Sequence, residues 1–166
     1  MEQIKYEKII SSYFCEKIFD GTHDSPKYVE EGYPLVTSKY ISGEKIDFNS
    51  APFISESDYN DINKRSKVKL YDILISMIGI NAGIVALIDK EPCYAIKNVG
   101  AFRCKNELNA KYLYYYLQSS TGQSMLKNSM TGSAQPYISL ERLRTMEFLI
   151  PNQSFQQHIV NIVRWS

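Results

Sequence analysis

The C-terminal part of the sequence contains the stretch that says most about the fold. It runs Met130-Thr131-Gly132-Ser133-Ala134-Gln135-Pro136-Tyr137-Ile138-Ser139, continues through Met146-Glu147-Phe148-Leu149-Ile150-Pro151, and reaches Ser154-Phe155-Gln156-Gln157-His158-Ile159-Val160. The first part is a loop of small and polar residues. The second is a short apolar strand that ends at proline, which has no backbone N–H to donate. The third part begins a new helix, so the order predicts a domain that closes with a strand and then a helix.

The composition is typical of a folded globular protein. The 166 residues are 44% hydrophobic and 22% charged, which are ordinary values for one globular domain. No apolar run approaches the roughly 20 residues that cross a bilayer, and the N-terminus lacks the apolar segment of a signal peptide. Cys15, Cys93 and Cys104 are widely spaced and form no CxxC pair. We therefore expect buried thiols in a reducing cytoplasm, without structural zinc or a membrane span.

Short helices and strands are predicted along the whole chain. The apolar runs 73–78 and 84–88 have the length of buried strands, and Ser55 and Ser139 stand where they can cap helices over residues 56–64 and 140–144. Further predictions are a helical turn at 6–12, strands at 13–19, 34–37, 45–48, 93–96, 99–104 and 147–150, and helices at 110–119 and 123–128. We expect the tyrosines at 112, 114, 115 and 116 to pack within the domain rather than to stack on bases. The mixture predicts an α+β fold with a mixed, largely antiparallel sheet and short flanking helices.

The signatures of common enzymes are missing from the sequence. No acidic residue is followed two places later by lysine, so the Glu/Asp-x-Lys pattern of metal-dependent nucleases is absent. There is no Pro-Pro, and hence no Asn/Asp-Pro-Pro-Tyr motif of amino-methyltransferases. GxGxxG, phosphate-binding loop and GxSxG motifs are also absent. We therefore expect a protein that is not an enzyme and needs no cofactor or metal.

The charges give two opposite indications about nucleic acid. The net charge is +1 and the pI is about 7.6, whereas nucleic-acid-binding domains often have a pI above about 9. Lys64, Arg65, Lys67 and Lys69 nevertheless fall within six residues. They suit a solvated helix end, where cations complement the helix dipole, and they equally suit contact with DNA phosphates.

Two loops contain polar side chains whose role the residues alone leave open. His23 follows Asp20-Gly21-Thr22, where an imidazole can fix the turn, contact DNA or transfer protons. No second group at a recognisable spacing supports proton transfer. In residues 132–137, the hydroxyl of Ser133 and the amide of Gln135 lie among backbone N–H groups. Glutamine pairs bidentately with adenine and N–H groups bind phosphate, but a plain connecting loop has the same composition.

Taken together, several motifs resemble the DNA-specificity subunit of type I restriction–modification enzymes. Each motif is weak alone, but their order and spacing are fairly specific and cover nearly the whole chain. They are Asp20-Gly21-Thr22-His23-Asp24-Ser25-Pro26, Tyr33-Pro34-Leu35-Val36-Thr37-Ser38-Lys39-Tyr40-Ile41, Leu70-Tyr71-Asp72-Ile73-Leu74-Ile75-Ser76 with Gly79, Lys111-Tyr112-Leu113, Gly132-Ser133-Ala134-Gln135, and Pro151 with Gln157, Ile159 and Val160. The chain departs from the family at Tyr71, where glycine is usual, and at Tyr40, where asparagine is usual.

The resemblance implies a division of labour between subunits. A specificity subunit recognises one half of a bipartite site in double-stranded DNA, while separate methyltransferase (modification) subunits methylate adenine and a restriction subunit cleaves. Residues 1–152 would form the target-recognition domain, and 153–166 would start the conserved spacer helix. A full subunit has two recognition domains, so the chain is expected to be a fragment, a truncated gene product or half of a split subunit. The alternatives are a recognition domain detached from a fused restriction–methylation enzyme, and a decoy that binds methyltransferase subunits without reading DNA.

The resemblance also favours DNA contact for the residues left open above. The expected DNA-binding residues are Thr22, His23, Lys39, Lys64, Arg65, Lys67, Lys69, Ser76, Ser133, Gln135 and Tyr137. Phe155, Ile159 and Ile162 form an apolar stripe at helical spacing and are the expected partner-binding residues. This stripe can pack back on the domain, pair with a second copy or stay exposed, and we expect a monomer or a weak homodimer through the helix.

Overall fold

The structure is a computed structural model that describes residues 4–43 and 45–163. Its strands are β1 Tyr6–Ile10, β2 Cys15–Asp20, β3 Tyr28–Val29, β4 Tyr33–Thr37, β5 Ile41–Ser42, β6 Lys45–Ile46, β7 Phe53–Ile54, β8 Ile73–Ser76, β9 Val85–Leu87, β10 Ala95–Lys97, β11 Val99–Cys104 and β12 Glu147–Pro151. Its helices are α1 Ser11–Phe14, α2 Glu56–Ser66, α3 Glu107–Gln118, α4 Ser120–Asn128, α5 Leu140–Arg144 and α6 Gln153–Val163, with a 3-10 turn at Ser38–Tyr40. The α+β prediction is confirmed. Within the described residues, no helix has the length and apolar character needed to span a membrane.

A sheet of antiparallel strands in the order β2-β11-β8-β9 forms the centre of the domain. The two apolar runs around residues 75 and 86 supply β8 and β9, as predicted. Phe102 of β11 is fully buried and meets Phe148 of β12 edge-on, with their ring centres 5.9 Å apart. Aromatic rings favour this edge-to-face geometry. The main core lies between the central sheet and the elements α1, α3, α4, α5, β12 and α6.

A second sheet, in the order β10-β4-β7-β3, packs beside the first. β10 runs parallel to β4, whereas the other pairs are antiparallel. Leu35, Ile54 and Ala95 form its small core, next to stacked rings of Tyr33 and Tyr59 at 4.0 Å. β3 and β7 were not predicted, because a strand of two residues is too short to show the alternation of apolar and polar side chains.

Side-chain caps begin several of the helices. The hydroxyls of Ser55 and Ser139 each accept a hydrogen bond from the backbone N–H three residues later, at 3.1 Å in both cases. Both caps were predicted from the sequence. Asn106 caps α3 in the same way, so this helix begins at Glu107, earlier than predicted. Tyr112 and Tyr114 of α3 are buried, in agreement with a packing role.

The N-terminal segment is a strand, so the predicted helical turn at residues 6–12 is wrong. β1 pairs antiparallel with β12, with Tyr6 opposite Pro151 and Ile10 opposite Glu147. The predicted strand at 13–19 is also displaced, since α1 precedes β2. The partner strand lies near the other end of the chain, and a pairing over that distance leaves no local pattern to read.

A buried ion pair holds the turn in front of β8. Tyr71 adopts a left-handed conformation with φ 68°, which is uncommon for a residue other than glycine. The Asp72 carboxylate accepts hydrogen bonds from the Lys69 N–H at 2.8 Å and from both Nε and Nη2 of Arg103 at 2.9 and 2.7 Å. These bonds stabilise the turn at Tyr71, the position where the family resemblance leads one to expect glycine.

The cysteines divide into a buried pair and an exposed residue. Cys15 and Cys104 are buried opposite each other on β2 and β11. A hydrogen bond with Cys15, together with burial, raises the pKa of the Cys104 thiol well above its ordinary value, so this thiol stays protonated at neutral pH. Cys93 is exposed, so the expectation of burial is wrong for this residue.

The last described helix packs back on the domain through a polar contact. Gln156 of α6 is buried, and its Oε1 accepts a hydrogen bond of 2.9 Å from Nδ2 of Asn109 on α3. Its Nε2 donates to the carbonyl oxygen of Pro151 at 3.0 Å. Ile159 is half-buried against the main core, and the ring of Phe155 meets that of Tyr6 edge-on. Much of the predicted partner-binding stripe is thus already in contact with the domain, whereas Ile162 is 54% exposed. Residues 164–166 lie outside the described residues.

We predict that Gln156→Ala lowers the free energy of unfolding by about 1–3 kcal/mol, because the Asn109 amide then stays buried without its acceptor. Urea denaturation followed by circular dichroism measures this change. Gln157→Ala is the matched control, since Gln157 is exposed, and should change stability by less than about 0.5 kcal/mol. Equal effects of the two substitutions would show that the buried contact does not hold α6.

Candidate nucleic-acid interface

The strand register brings the ends of several strands to the same edge of the molecule. Gly100 lies opposite both Asp20 and Ile75, so β2 ends, β8 ends and β11 begins at one level. Lys97, the last residue of β10, lies opposite Thr37, the last residue of β4. The segments 21–25, 38–40, 77–84 and 98, which leave these strand ends, therefore meet. We call them, with the loop described next, the loop edge.

The small polar loop of residues 131–137 joins the loop edge from a distant part of the chain. Thr131 and Tyr137 pair across its base. The Gly79 N–H donates to the Pro136 carbonyl oxygen at 2.9 Å, and the Ile138 N–H donates to that of Met77 at 2.8 Å. Ser133, Gln135 and Tyr137 are exposed on it. These predicted contact residues thus lie beside the connection between β8 and β9.

Asn98 ties three segments of the loop edge together. It adopts a left-handed conformation with φ 52°, which asparagine tolerates better than most residues. Its N–H donates to the Thr22 carbonyl oxygen at 3.1 Å, and its own carbonyl accepts from the Ser38 hydroxyl at 3.2 Å. Its Oδ1 lies 2.8 Å from Nδ1 of His23. The sequence analysis missed Asn98, although an asparagine between two short apolar strands is a turn signal.

His23 is exposed but held at both ring nitrogens. Besides Asn98, its Nε2 lies 2.8 Å from Oδ2 of the buried Asp20. Thr22 shapes the same loop, because its hydroxyl accepts a hydrogen bond of 3.1 Å from the Asp24 N–H and the residue is 7% exposed. Gly21 permits the close approach of this loop to β10, since a Cβ there would lie 2.2 Å from the Ile96 carbonyl oxygen. The loop thus presents the imidazole in a fixed position, and Thr22 supports it.

The basic cluster at residues 64–69 is divided by the fold. Arg65 lies at the loop edge, where Nη1 donates to Oδ1 of Asp20 at 3.0 Å and Nη2 to the Gly21 carbonyl oxygen at 2.8 Å. Lys64 pairs with Asp61 at 2.6 Å on the exposed face of α2. Lys67 and Lys69 lie at the opposite end of the central sheet, near the Arg103–Asp72 pair. The four side chains are all exposed, and their contact with DNA phosphates stays a prediction.

The cleft beside Arg65 is unsuited to an anion. It has a volume of about 610 Å³, and its lining includes the carboxylates of Asp24, Asp58 and Asp61 as well as His23 and Arg65. Carboxylates repel phosphate, so this side of the loop edge is unfavourable for contact with an anion.

Ser76 and Lys39 differ in their access to the surface. Ser76 is fully buried, and its hydroxyl lies 3.5 Å from the Ser38 carbonyl oxygen. It supports the loop edge from beneath and does not belong to its surface, which corrects the expected contact with DNA. Lys39 is exposed, with its Nζ 5.6 Å from the centre of the Tyr40 ring.

The exposed groups of the loop edge suit hydrogen bonding rather than metal chemistry. They comprise an ammonium group, an amide and hydroxyls, which can contact phosphates and base edges, beside the imidazole of His23, whose nitrogens are engaged within the domain. Among the residues that the structure describes, no group of three or more His, Cys, Asp or Glu side chains is placed to hold a metal ion.

An α+β domain whose polar loops gather at one edge has the form of a binding module. The sequence matches the family model of the type I restriction modification DNA specificity domain over residues 22–164. Since this match covers most of the chain, the chain belongs to that family of DNA specificity domains.

Solved structures of type I specificity subunits have the same fold. The S subunit of the type I restriction–modification system from M. genitalium has a TM-score of 0.68 at 18% identity, covering 99% of this chain and 39% of that one. A chain from a study of complex assembly and conformational transition in a type I system has a TM-score of 0.68 at 15% identity, covering 96% and 37%. The HsdS subunit from Thermoanaerobacter tengcongensis has a TM-score of 0.63 at 16% identity, also covering 96% and 37%. This chain thus spans less than two fifths of each of these proteins. A search of curated proteins found no match.

We predict that Arg65→Ala lowers the free energy of unfolding by about 1–3 kcal/mol, because it removes a charged partner from the buried Asp20 carboxylate. Lys64→Ala should have an effect below about 0.5 kcal/mol, since its ion pair is exposed to water. Thermal or urea unfolding of the two neighbouring variants gives the comparison. If both variants were as stable as the parent protein, Arg65 would be available for DNA rather than used by the fold.

Proposed function

We propose that the chain recognises one half of a bipartite site in double-stranded DNA, as the specificity component of a type I restriction–modification complex. The observation that carries the proposal is the loop edge, where His23, Lys39 and Gln135 are exposed on loops that are distant in sequence but tied by hydrogen bonds. A surface built from several anchored loops can offer different groups to successive base pairs. Membership of the DNA specificity domain family supports the same conclusion.

Each exposed group has a different task in this proposal. Gln135 reads a base, because its amide presents a donor and an acceptor in one plane and so matches N6 and N7 of adenine. Lys39 contacts a phosphate as a point charge and positions the domain without reading sequence. Both ring nitrogens of His23 are engaged by Asn98 and Asp20, so in this proposal the residue meets DNA through the exposed edge of its ring and keeps the loop in position. Ser133 and Tyr137 flank Gln135 on its loop and supply hydroxyl groups.

The affinity of the isolated domain for DNA should be modest and sensitive to salt. The net charge is only +1, and Arg65 and Arg103 are both engaged with buried carboxylates. Few phosphates can then be neutralised, and each one contributes about 0.9 to the slope of log affinity against log salt concentration. The base contacts must therefore supply much of the selectivity.

The remaining activities of the complex belong to partner subunits in this proposal. Methyltransferase subunits modify the adenine and a restriction subunit cleaves, because the chain lacks the cofactor and metal motifs of either reaction. Residues 1–152 form the recognition domain and residues from 153 onward begin a spacer helix. The protein acts in the cytoplasm, where its free thiols remain reduced. Because Phe155 and Ile159 already pack on the domain, we infer a monomer rather than a homodimer.

We predict that selection from a library of random duplexes enriches a short motif with the parent protein. Gln135→Ala should flatten the preference at one position, by roughly 1–3 kcal/mol for a lost bidentate contact. Lys39→Ala is the matched control, since loss of a phosphate contact weakens all duplexes about equally and lowers the salt slope by about 0.9. A parent protein that enriches no motif would favour the decoy alternative. An unchanged motif after Gln135→Ala would remove this residue from base reading.

We predict that the purified chain alone is an inactive monomer. With S-adenosylmethionine, ATP and Mg²⁺ it should neither methylate nor cut DNA, and in sedimentation it should have the mass of one chain. A methyl-transfer or cleavage activity that one point mutation here abolishes would contradict the non-catalytic role. A dimer that the exposed substitution Ile162→Asp disrupts would restore the helix stripe as an interface between copies.

A further inference from the structure

Ile80 is the most exposed of the large hydrophobic side chains that the structure describes, at 99%. It occupies the second position of a tight turn in which the Ala82 N–H donates to the Gly79 carbonyl oxygen at 3.0 Å. This turn is the tip of the connection between β8 and β9. Because the side chain buries almost nothing, it contributes nothing to the stability of the fold. Stability of the fold therefore does not account for an isoleucine at this position, whereas contact with a binding partner would.

The neighbours of Ile80 on both sides are anchored. The Gly79 N–H donates to the Pro136 carbonyl oxygen at 2.9 Å, on the loop that contains Gln135. Nδ2 of Asn81 donates to the Ser38 carbonyl oxygen at 3.2 Å, beside Lys39. Gly79 has φ 85°, a conformation that glycine adopts without strain. Ile80 is thus held in a defined place between a proposed base-reading residue and a proposed phosphate contact.

The width of this part of the loop edge matches the major groove of DNA better than the minor groove. The β8–β9 turn and the 131–137 loop lie side by side, and paired backbone segments are about 4.8 Å apart before their side chains are counted. Together they are broader than the minor groove, which is about 6 Å wide, and they fit the major groove of about 12 Å. In the major groove the apolar feature of the base edges is the 5-methyl group of thymine.

We propose that Ile80 contacts the 5-methyl group of a thymine in the major groove and makes the domain selective for that base. This assignment rests on the proposed function, because it requires the loop edge to face duplex DNA. Ile80 and Gln135 then read neighbouring positions, one through apolar contact and the other through hydrogen bonds. A contacting isoleucine also loses its exposure to water only in the complex, so the gain appears in binding and not in folding.

Replacing thymine by uracil tests the contact, because this change removes the methyl group and nothing else. Each thymine of the duplex selected by the parent protein is replaced in turn, and affinities are measured for the parent protein and for Ile80→Ala. With the parent protein, one replacement should weaken binding about fourfold, the factor expected for exposing one buried methyl-sized group. With Ile80→Ala, the thymine and uracil duplexes should bind equally, at about the affinity of the parent protein for the uracil duplex.

Two controls accompany this measurement. Ile4→Ala removes another exposed isoleucine, which is 46% exposed and lies outside the loop edge, and should retain the full response to uracil. Circular dichroism during unfolding should give the same midpoint for Ile80→Ala as for the parent protein, because the side chain is not packed in the domain.

The outcomes separate this proposal from the proposed function. A selected motif whose uracil duplexes all bind the parent protein normally would overturn the role of Ile80 while leaving DNA recognition intact. An equal response to uracil in the parent protein and in Ile80→Ala would do the same. Weaker binding by Ile80→Ala without any response to uracil would indicate an apolar wedge between bases, and would also overturn the methyl contact. If the parent protein selects no motif at all, the proposed function fails first and this proposal fails with it.

Discussion

The antiparallel pairing of β11 with both β2 and β8 is the constraint on which the rest of the structure depends. Side chains alternate between the faces of a strand, so a slip of one residue would turn Phe102 away from the main core. The same slip would displace Asp20 and Ser76 at the strand ends, and with them the loops that follow. Burial of the core and position of the candidate interface are thus set by one register. This coupling explains how loops without secondary structure can be held firmly at the candidate interface.

Two buried carboxylates at opposite ends of the central sheet determine where the basic residues go. Asp20 forms an ion pair with Arg65 at the loop edge, and Asp72 forms one with Arg103 at the other end of the sheet. A carboxylate buried without a partner would be strongly destabilising. The two arginines therefore stabilise the fold, and their charges are already compensated within the domain. The count of basic residues therefore overstates the positive charge that is available to a ligand. In the proposed function, recognition relies more on the shape and hydrogen bonds of the loops than on net charge.

Much of the fold and part of the site could be predicted from local patterns. The apolar runs predicted β8 and β9, the serine caps predicted the starts of α2 and α5, and the order of motifs indicated the family. The polar loop around Gln135 was identified by its composition. In contrast, the strand β1 was mistaken for a helical turn, because its exposed side chains pair with β12 and bury little. Asn98 and Ile80 were missed, since neither belongs to a recognisable motif.

The sequence by itself determined which segments are apolar, where the serine-capped helices α2 and α5 begin, and which family of DNA specificity domains the chain belongs to. These properties depend on neighbouring residues, and neighbours in sequence are always neighbours in space. Only the tertiary structure decided that Ser76 is buried, that Arg65 is engaged by Asp20, and that the loops of His23, Lys39 and Gln135 meet. Burial and contact at those positions depend on strands from distant parts of the chain, whose pairing emerges only when the core closes around them.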